Sequence, residues 1–151
     1  MTLPYGVQIK ASQIVGKLDI GFAISADWNR RKQMNNTIEN VKITETFLGR
    51  EDHGILTCYL TVEGDGFGVS IGGYCLDKYD EYKRKRVAYH KSFELIDRIL
   101  EVVGVSTWED IPGKHIRIES NGFGGRVTKI GNLIKEDWLD FDTFFKEATD
   151  E

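Results

Sequence analysis

Five glycines fall within the ten residues from Gly64 to Gly73, inside a stretch, Glu63 to Asp77, that otherwise alternates like a β-strand. A glycine in a strand gives up side-chain packing and costs conformational entropy. A cluster of them therefore needs a local reason: a bulge, a sharp bend, or something lying close to the backbone. Gly64-Asp65-Gly66 supplies residues that tolerate positive φ in a tight turn, and Phe67, Val69 and Ile71 continue as a strand. The strand from Phe67 to Cys75 is expected to be bent or closely approached on the face carrying Gly68, Ser70, Gly72 and Tyr74. A nucleotide-binding glycine loop does not fit, because Val69 occupies the third fingerprint position and no helix follows. The covering group is then a bulky neighbour, such as Tyr59, Trp108 or a second copy of the chain, or else a ligand.

The flanking sequence builds a sheet around this strand. Val41, Ile43, Glu45 and Phe47 alternate with Lys42, Thr44, Thr46 and Leu48, and the pattern runs into the turn Gly49 to Gly54. Ile55 to Glu63 then sets Leu56, Cys58, Leu60 and Val62 on one face, which reads as a hairpin. Leu76 to Val87 reads as a long charged loop. Ser92 is the expected N-cap of a helix whose stripe is Phe93, Leu95, Ile96, Ile99, Leu100 and Val103, stopped by Gly104. Ser106-Thr107-Trp108-Glu109 has capping-box spacing, and Pro112-Gly113 ends the turn that it opens. His115 to Ser120 places Ile116 and Ile118 opposite His115, Arg117 and Glu119; Asn121-Gly122 turns the chain, and Val127 and Ile130 return inward. Asp140 caps a short final helix bearing Phe141, Phe144 and Phe145. The expected fold is α+β: an antiparallel meander of about five to six strands, packed by one central helix and the short C-terminal helix.

A chain of 151 residues suits one domain and can bury a core without metal or disulfide support. Residues 1–33 differ in character from the rest. They carry a surplus of +3, which leaves −7 on residues 34–151 of a chain whose net charge is −4. Leu18, Ile20, Phe22 and Ile24 alternate with Asp19, Gly21, Ala23 and Ser25, so residues 1–33 read as an N-terminal extension or β-hairpin and 34–151 as the single α+β domain. No apolar run approaches the roughly 18 residues of a membrane span. The acidic balance argues against direct nucleic-acid binding. Cys58 and Cys75 lack metal-ligand spacing and read as buried thiols; with no export signal at the N-terminus, the expected location is cytoplasmic.

The groups able to carry chemistry are few. Glu51-Asp52-His53 is the densest set of proton-transfer and metal-binding side chains, but adjacent turn residues point apart and more often bond their own backbone. Asp52 and His53, with His115, form the weak case for a metal-assisted hydrolase. H-E-x-x-H, paired C-x-x-C and nucleophile-elbow motifs are missing, so no catalytic residue, metal or cofactor is assigned. Arg84, Lys85 and Arg86 with Arg117 and Arg126 can gather charge around a small anionic ligand, with Tyr74, Tyr79, Tyr82 and Phe123 as stacking faces; the alternative is a solvated loop balanced by Asp77, Asp80 and Glu81. Asp77 caps the turn or bonds a ligand hydroxyl. The candidate ligand or partner-binding residues are therefore Glu51, Asp52, His53, Gly66, Gly72, Gly73, Tyr74, Asp77, Arg117 and Arg126.

Gly49-Arg50-Glu51-Asp52-His53-Gly54, Glu63-Gly64-Asp65-Gly66 and Gly72-Gly73-Tyr74-Cys75-Leu76-Asp77, with Trp108 to Arg117 and Asp137-Trp138, carry a resemblance. Over roughly Ile38 to Phe145 the chain resembles a group of small phage and prophage proteins. The resemblance supplies a setting and no mechanism. By analogy with small acidic phage accessory proteins, it implies a protein that binds and blocks a host defence protein, most simply a nuclease complex such as a CRISPR effector, in the host cytoplasm. The alternative it implies is an oligomeric sponge that sequesters a nucleotide signal.

Overall fold

The computed structural model describes residues 36–88, 90–122 and 124–147. The expected hairpin in residues 1–33 and the stacking role of Phe123 lie outside the described residues. The strands are β1 (Thr37–Glu51), β2 (Ile55–Gly64), β3 (Phe67–Cys75), β4 (Asp77–Asp80), β5 (Lys85–Ala88), β6 (His115–Ser120), β7 (Val127–Asn132) and β8 (Trp138–Asp140). The helices are α1 (Lys91–Val103) and α2 (Phe141–Glu147), with a 3-10 turn at Trp108–Asp110. The fold is α+β. Its main sheet is six-stranded and antiparallel in the order β3-β2-β1-β6-β7-β8, and β4 and β5 pair separately. Two three-stranded meanders are thus joined through β1. Residues 37–42 of that strand pair with β6, residues 42–51 pair with β2, and Lys42 has a partner on both sides.

The side-chain phase along β1 departs from simple alternation. Val41 and Ile43 are buried, but the register shifts between Ile43 and Glu45, leaving Thr44 as the extra residue. One added residue exchanges the two faces. Glu45 and Phe47, expected on the inner face with Val41 and Ile43, therefore lie opposite Thr61 and Tyr59 on the outer one. A second shift, between Cys58 and Tyr59 on the β2–β3 pairing, places Gly72 opposite Tyr59 and Tyr74 opposite the buried Cys58. Tyr74 thus leaves the face of Gly68, Ser70 and Gly72 and turns inward, where its ring stacks on Phe141 at 5.2 Å between centroids.

One face of the sheet is covered. Leu95, Ile99, Val102 and Val103 of α1 join Val41, Ile43, Leu60, Val62, Ile71, Ile116, Ile118 and Ile130 in one core, with Phe141 of α2. The helix begins at Lys91, ahead of the expected cap. The Ser92 hydroxyl is used elsewhere: it donates to the Leu76 carbonyl and ties the helix to the end of β3. Phe93 is 73 % exposed, so the apolar stripe is narrower than its hydropathy indicated. Gly104, at φ 85°, donates its N–H to the Leu100 carbonyl and ends the helix as expected. Thr107 is the N-cap of the 3-10 turn, without the side-chain bond that a capping box would make. Asp140 accepts from the backbone N–H groups of Asp142 and Thr143 and caps α2. The segment from Leu76 to Val87 is not a loop: Asp77 to Asp80 pairs with Lys85 to Ala88 as a small hairpin. No helix among the described residues is long and apolar enough to cross a membrane.

Candidate functional site

What approaches the glycine strand is the protein's own backbone. A β-carbon on Gly72 would stand 2.6 Å from the Cys58 carbonyl oxygen and 3.0 Å from the Tyr59 Cα, and Gly72 has φ 117°. The bulge therefore explains this glycine. Gly66 lies in the β2–β3 turn, and Gly73 is the extra residue beside Gly72; neither has an atom within 4 Å of where a β-carbon would sit.

The other expected residues do not gather at one place. Asp52 and His53 occupy the β1–β2 turn with φ of 37° and 66° and bond each other, His53 Nδ1 to Asp52 Oδ1, at 2.7 Å. His115 pairs with Lys42, at the other end of the β1–β2 ladder from Glu51. At a strand rise of about 3.3 Å per residue, that separates it from the turn by about 30 Å. The structure thus does not bring the three together, and no three His, Cys, Asp or Glu side chains among the described residues gather closely enough to hold a metal.

Asp77 is a buried hub, its side chain 2 % exposed. Arg86 donates to its Oδ1 from Nε at 2.9 Å, and the Leu56 N–H donates to its Oδ2 at 3.1 Å. The Arg86 guanidinium holds the carboxyl below its usual range, against the opposing effect of burial. Cys75, expected to be buried, is exposed; its thiol donates to the Asp77 carbonyl at 3.0 Å and accepts from Arg86 Nη2 at 3.0 Å. Cys58 is buried, and burial pushes its thiol up to about 11.

Arg117 and Arg126 do not converge on one ligand. Arg117 donates to the carbonyls of Asn132 (2.7 Å) and Lys135 (2.6 Å) and to Glu136 (2.8 Å). Its guanidinium lies 4.6 Å from the centroid of Trp138, which itself covers Gly131 so closely that a β-carbon there would meet the indole at 2.5 Å. Arg126 does reach Tyr74, donating to its hydroxyl at 3.0 Å, but Asp142 already takes the guanidinium in a two-pronged ion pair at 2.7 and 3.2 Å. These arginines tie the sheet to the β7–β8 turn and to α2.

The face opposite the helices gathers a different set. Phe47 and Tyr59 stack at 5.0 Å between centroids with 14° between their planes. Glu45 and Glu51 lie two and four residues away from Phe47 on the same side of β1, and Tyr59 donates its hydroxyl to Glu51 Oε1 at 3.3 Å. Burial first, and then the Glu51 carboxylate, raise the Tyr59 phenol above its ordinary value. Beside Tyr59 runs the outer face of β3, where Gly68, Ser70 and Gly72 present little or no side chain. The result is an aromatic platform with an acidic rim and a low neighbouring strip. Of this set only Glu51 and Gly72 were among the sequence candidates. Phe47 and Glu45 were missed because the bulge at Thr44 carries no glycine to mark it. The usable signal was a glutamate falling at a nominally inward position.

No family model, no curated protein and no solved structure matches this chain. The geometry therefore carries the functional reading.

Proposed function

We propose that this protein acts by binding, as a phage accessory protein that docks the Phe47–Tyr59 platform on a basic surface of a host nuclease complex of the CRISPR-effector type and blocks it. The observation that carries the reading is the stacked ring pair with Glu45 and Glu51 beside it, on the face that neither helix covers. Rings flanked by carboxylates suit arginine, whose guanidinium stacks on an aromatic face and forks onto a carboxylate. The −7 carried by residues 34–151 adds long-range attraction for the nucleic-acid-binding surfaces of such a complex. A sponge for an anionic nucleotide is less well supported: Arg86, Arg98, Arg117 and Arg126 are each committed to a carboxylate.

The test is titration of the purified protein into DNA cleavage by a panel of reconstituted CRISPR effector complexes. Inhibition of at least one is expected, with Phe47→Ala/Tyr59→Ala weakened at least about tenfold, as for truncation of aromatic anchors. Neither ring belongs to the buried core, so the double variant stays folded. Failure of the wild-type protein to inhibit any complex, or equal inhibition by the variant, would overturn the reading.

A further inference from the structure

The alternation that carries Val41 and Ile43 into the core carries Glu39 the same way. Glu39 lies opposite Ile118 of β6, on the inner face of the sheet, and is partly buried. Among the described residues Glu39 has no hydrogen-bond or ion-pair partner. Beside it a cleft of about 240 Å³ opens between the β2–β3 turn and the β6–β7 turn. Phe67, Val69, Ile118 and Val127 wall the cleft, and the backbone of Gly124 and Gly125 rims it. The other polar side chain there, Ser120, is already committed, since its hydroxyl bonds the Thr37 hydroxyl at 3.0 Å and donates to the Gly122 carbonyl at 3.2 Å. The cleft is thus an apolar hollow whose one acidic side chain has no partner among the described residues.

The geometry points to this cleft as a second binding site, for a compact organic cation: an apolar body bearing one amidinium, guanidinium or ammonium group. The charged head meets Glu39 and the body lies against Phe67, Val69, Ile118 and Val127. The volume is below the roughly 300 Å³ at which drug-sized pockets begin, so it takes a single ring or a short alkyl chain. Charge decides the class of ligand. An amidinium or guanidinium matches a carboxylate through two parallel charge-assisted hydrogen bonds, a neutral amide of the same shape donates without the charge or the second parallel bond, and an anion is repelled.

Benzamidinium, benzamide and benzoate share one shape and differ in charge, so they are the probes. In amide NMR titrations of the full chain, benzamidinium is expected to give saturable shifts at Glu39, Phe67, Gly68 and Val127. Benzamide should bind at least about tenfold more weakly and benzoate not at all, as the loss of a charge-assisted pair requires. Glu39→Gln should abolish the preference for the cation. Three results would overturn the proposal: no saturable shifts at these amides with benzamidinium, equal binding of benzamide, or a preference that survives in Glu39→Gln. The comparison of the three probes on the wild-type protein decides the matter even if the variant does not fold.

Discussion

Asp77→Ala is expected to lower the unfolding free energy by about 3–4 kcal/mol and the melting temperature by roughly 10–15 °C, the scale on which breaking a buried charge pair acts in a domain of this size. The side chain is 2 % exposed and satisfies three strands at once: the Leu56 N–H on β2, Arg86 on β5 and the Cys75 thiol on β3. Alanine leaves the Leu56 donor and the Arg86 guanidinium without this acceptor. Asp77→Asn, which retains an acceptor for Leu56, should cost about half as much. Urea denaturation of the three proteins checks the order.

The same ion pair sets a pH dependence. Arg86 depresses the Asp77 carboxyl in the folded state from its ordinary value of 3.8. A group depressed on folding contributes fully above its unfolded value, and that contribution is lost as pH falls through the folded one. The wild-type protein should therefore lose stability below about pH 4, and Asp77→Asn should lose less over the same interval. Asp137 and Asp142, depressed by Arg98 and Arg126, act in the same direction, so some acid sensitivity persists in the variant.

Gly72→Val is expected to cost about 3 kcal/mol, from backbone strain and overpacking together. The φ of 117° lies where side chains are rarely tolerated, and the contact at 2.6 Å is with a backbone carbonyl that has no rotamer to yield. Relief requires the β2–β3 bulge to slip, which would turn Tyr74 away from Phe141 and Phe145. Thermal unfolding measures the cost. Loss of the Tyr74 and Phe145 ring-current shifts in NMR reports the slip.

These two residues also mark how much of the molecule can be read from the chain. The inward sets on β2 and β6 follow from period-two alternation, because each strand faces a core on one side only. The same logic fails at Thr44, where an ordinary residue is the one added, and at Gly73, where a glycine hints at irregularity without saying which way Tyr74 will turn. Bulges answer to pairing across the sheet, which a local pattern does not contain. Asp77 reads from sequence as a cap, a ligand group or one of the counter-charges to the basic run Arg84 to Arg86. Its role as a hub depends on Leu76 to Val87 forming a hairpin that brings Arg86 back beside it, and the charged residues there masked the strands. Arg117 and Arg126 read as able to gather around an anionic ligand because sequence does not reveal that carboxylates from distant segments take them: Asp142 for Arg126 and Glu136 for Arg117.

The claim that the sheet face opposite the two described helices receives a basic partner is tested most directly by an amide NMR titration with a hexa-arginine peptide, with hexa-glutamate as the control. The expected result is a set of saturable shifts centred on Glu45, Phe47, Glu51, Tyr59 and Thr61, absent with hexa-glutamate and weakened when salt is raised well beyond the physiological range. Shifts confined to other parts of the molecule, or no saturable shift at these five residues, would contradict the claim.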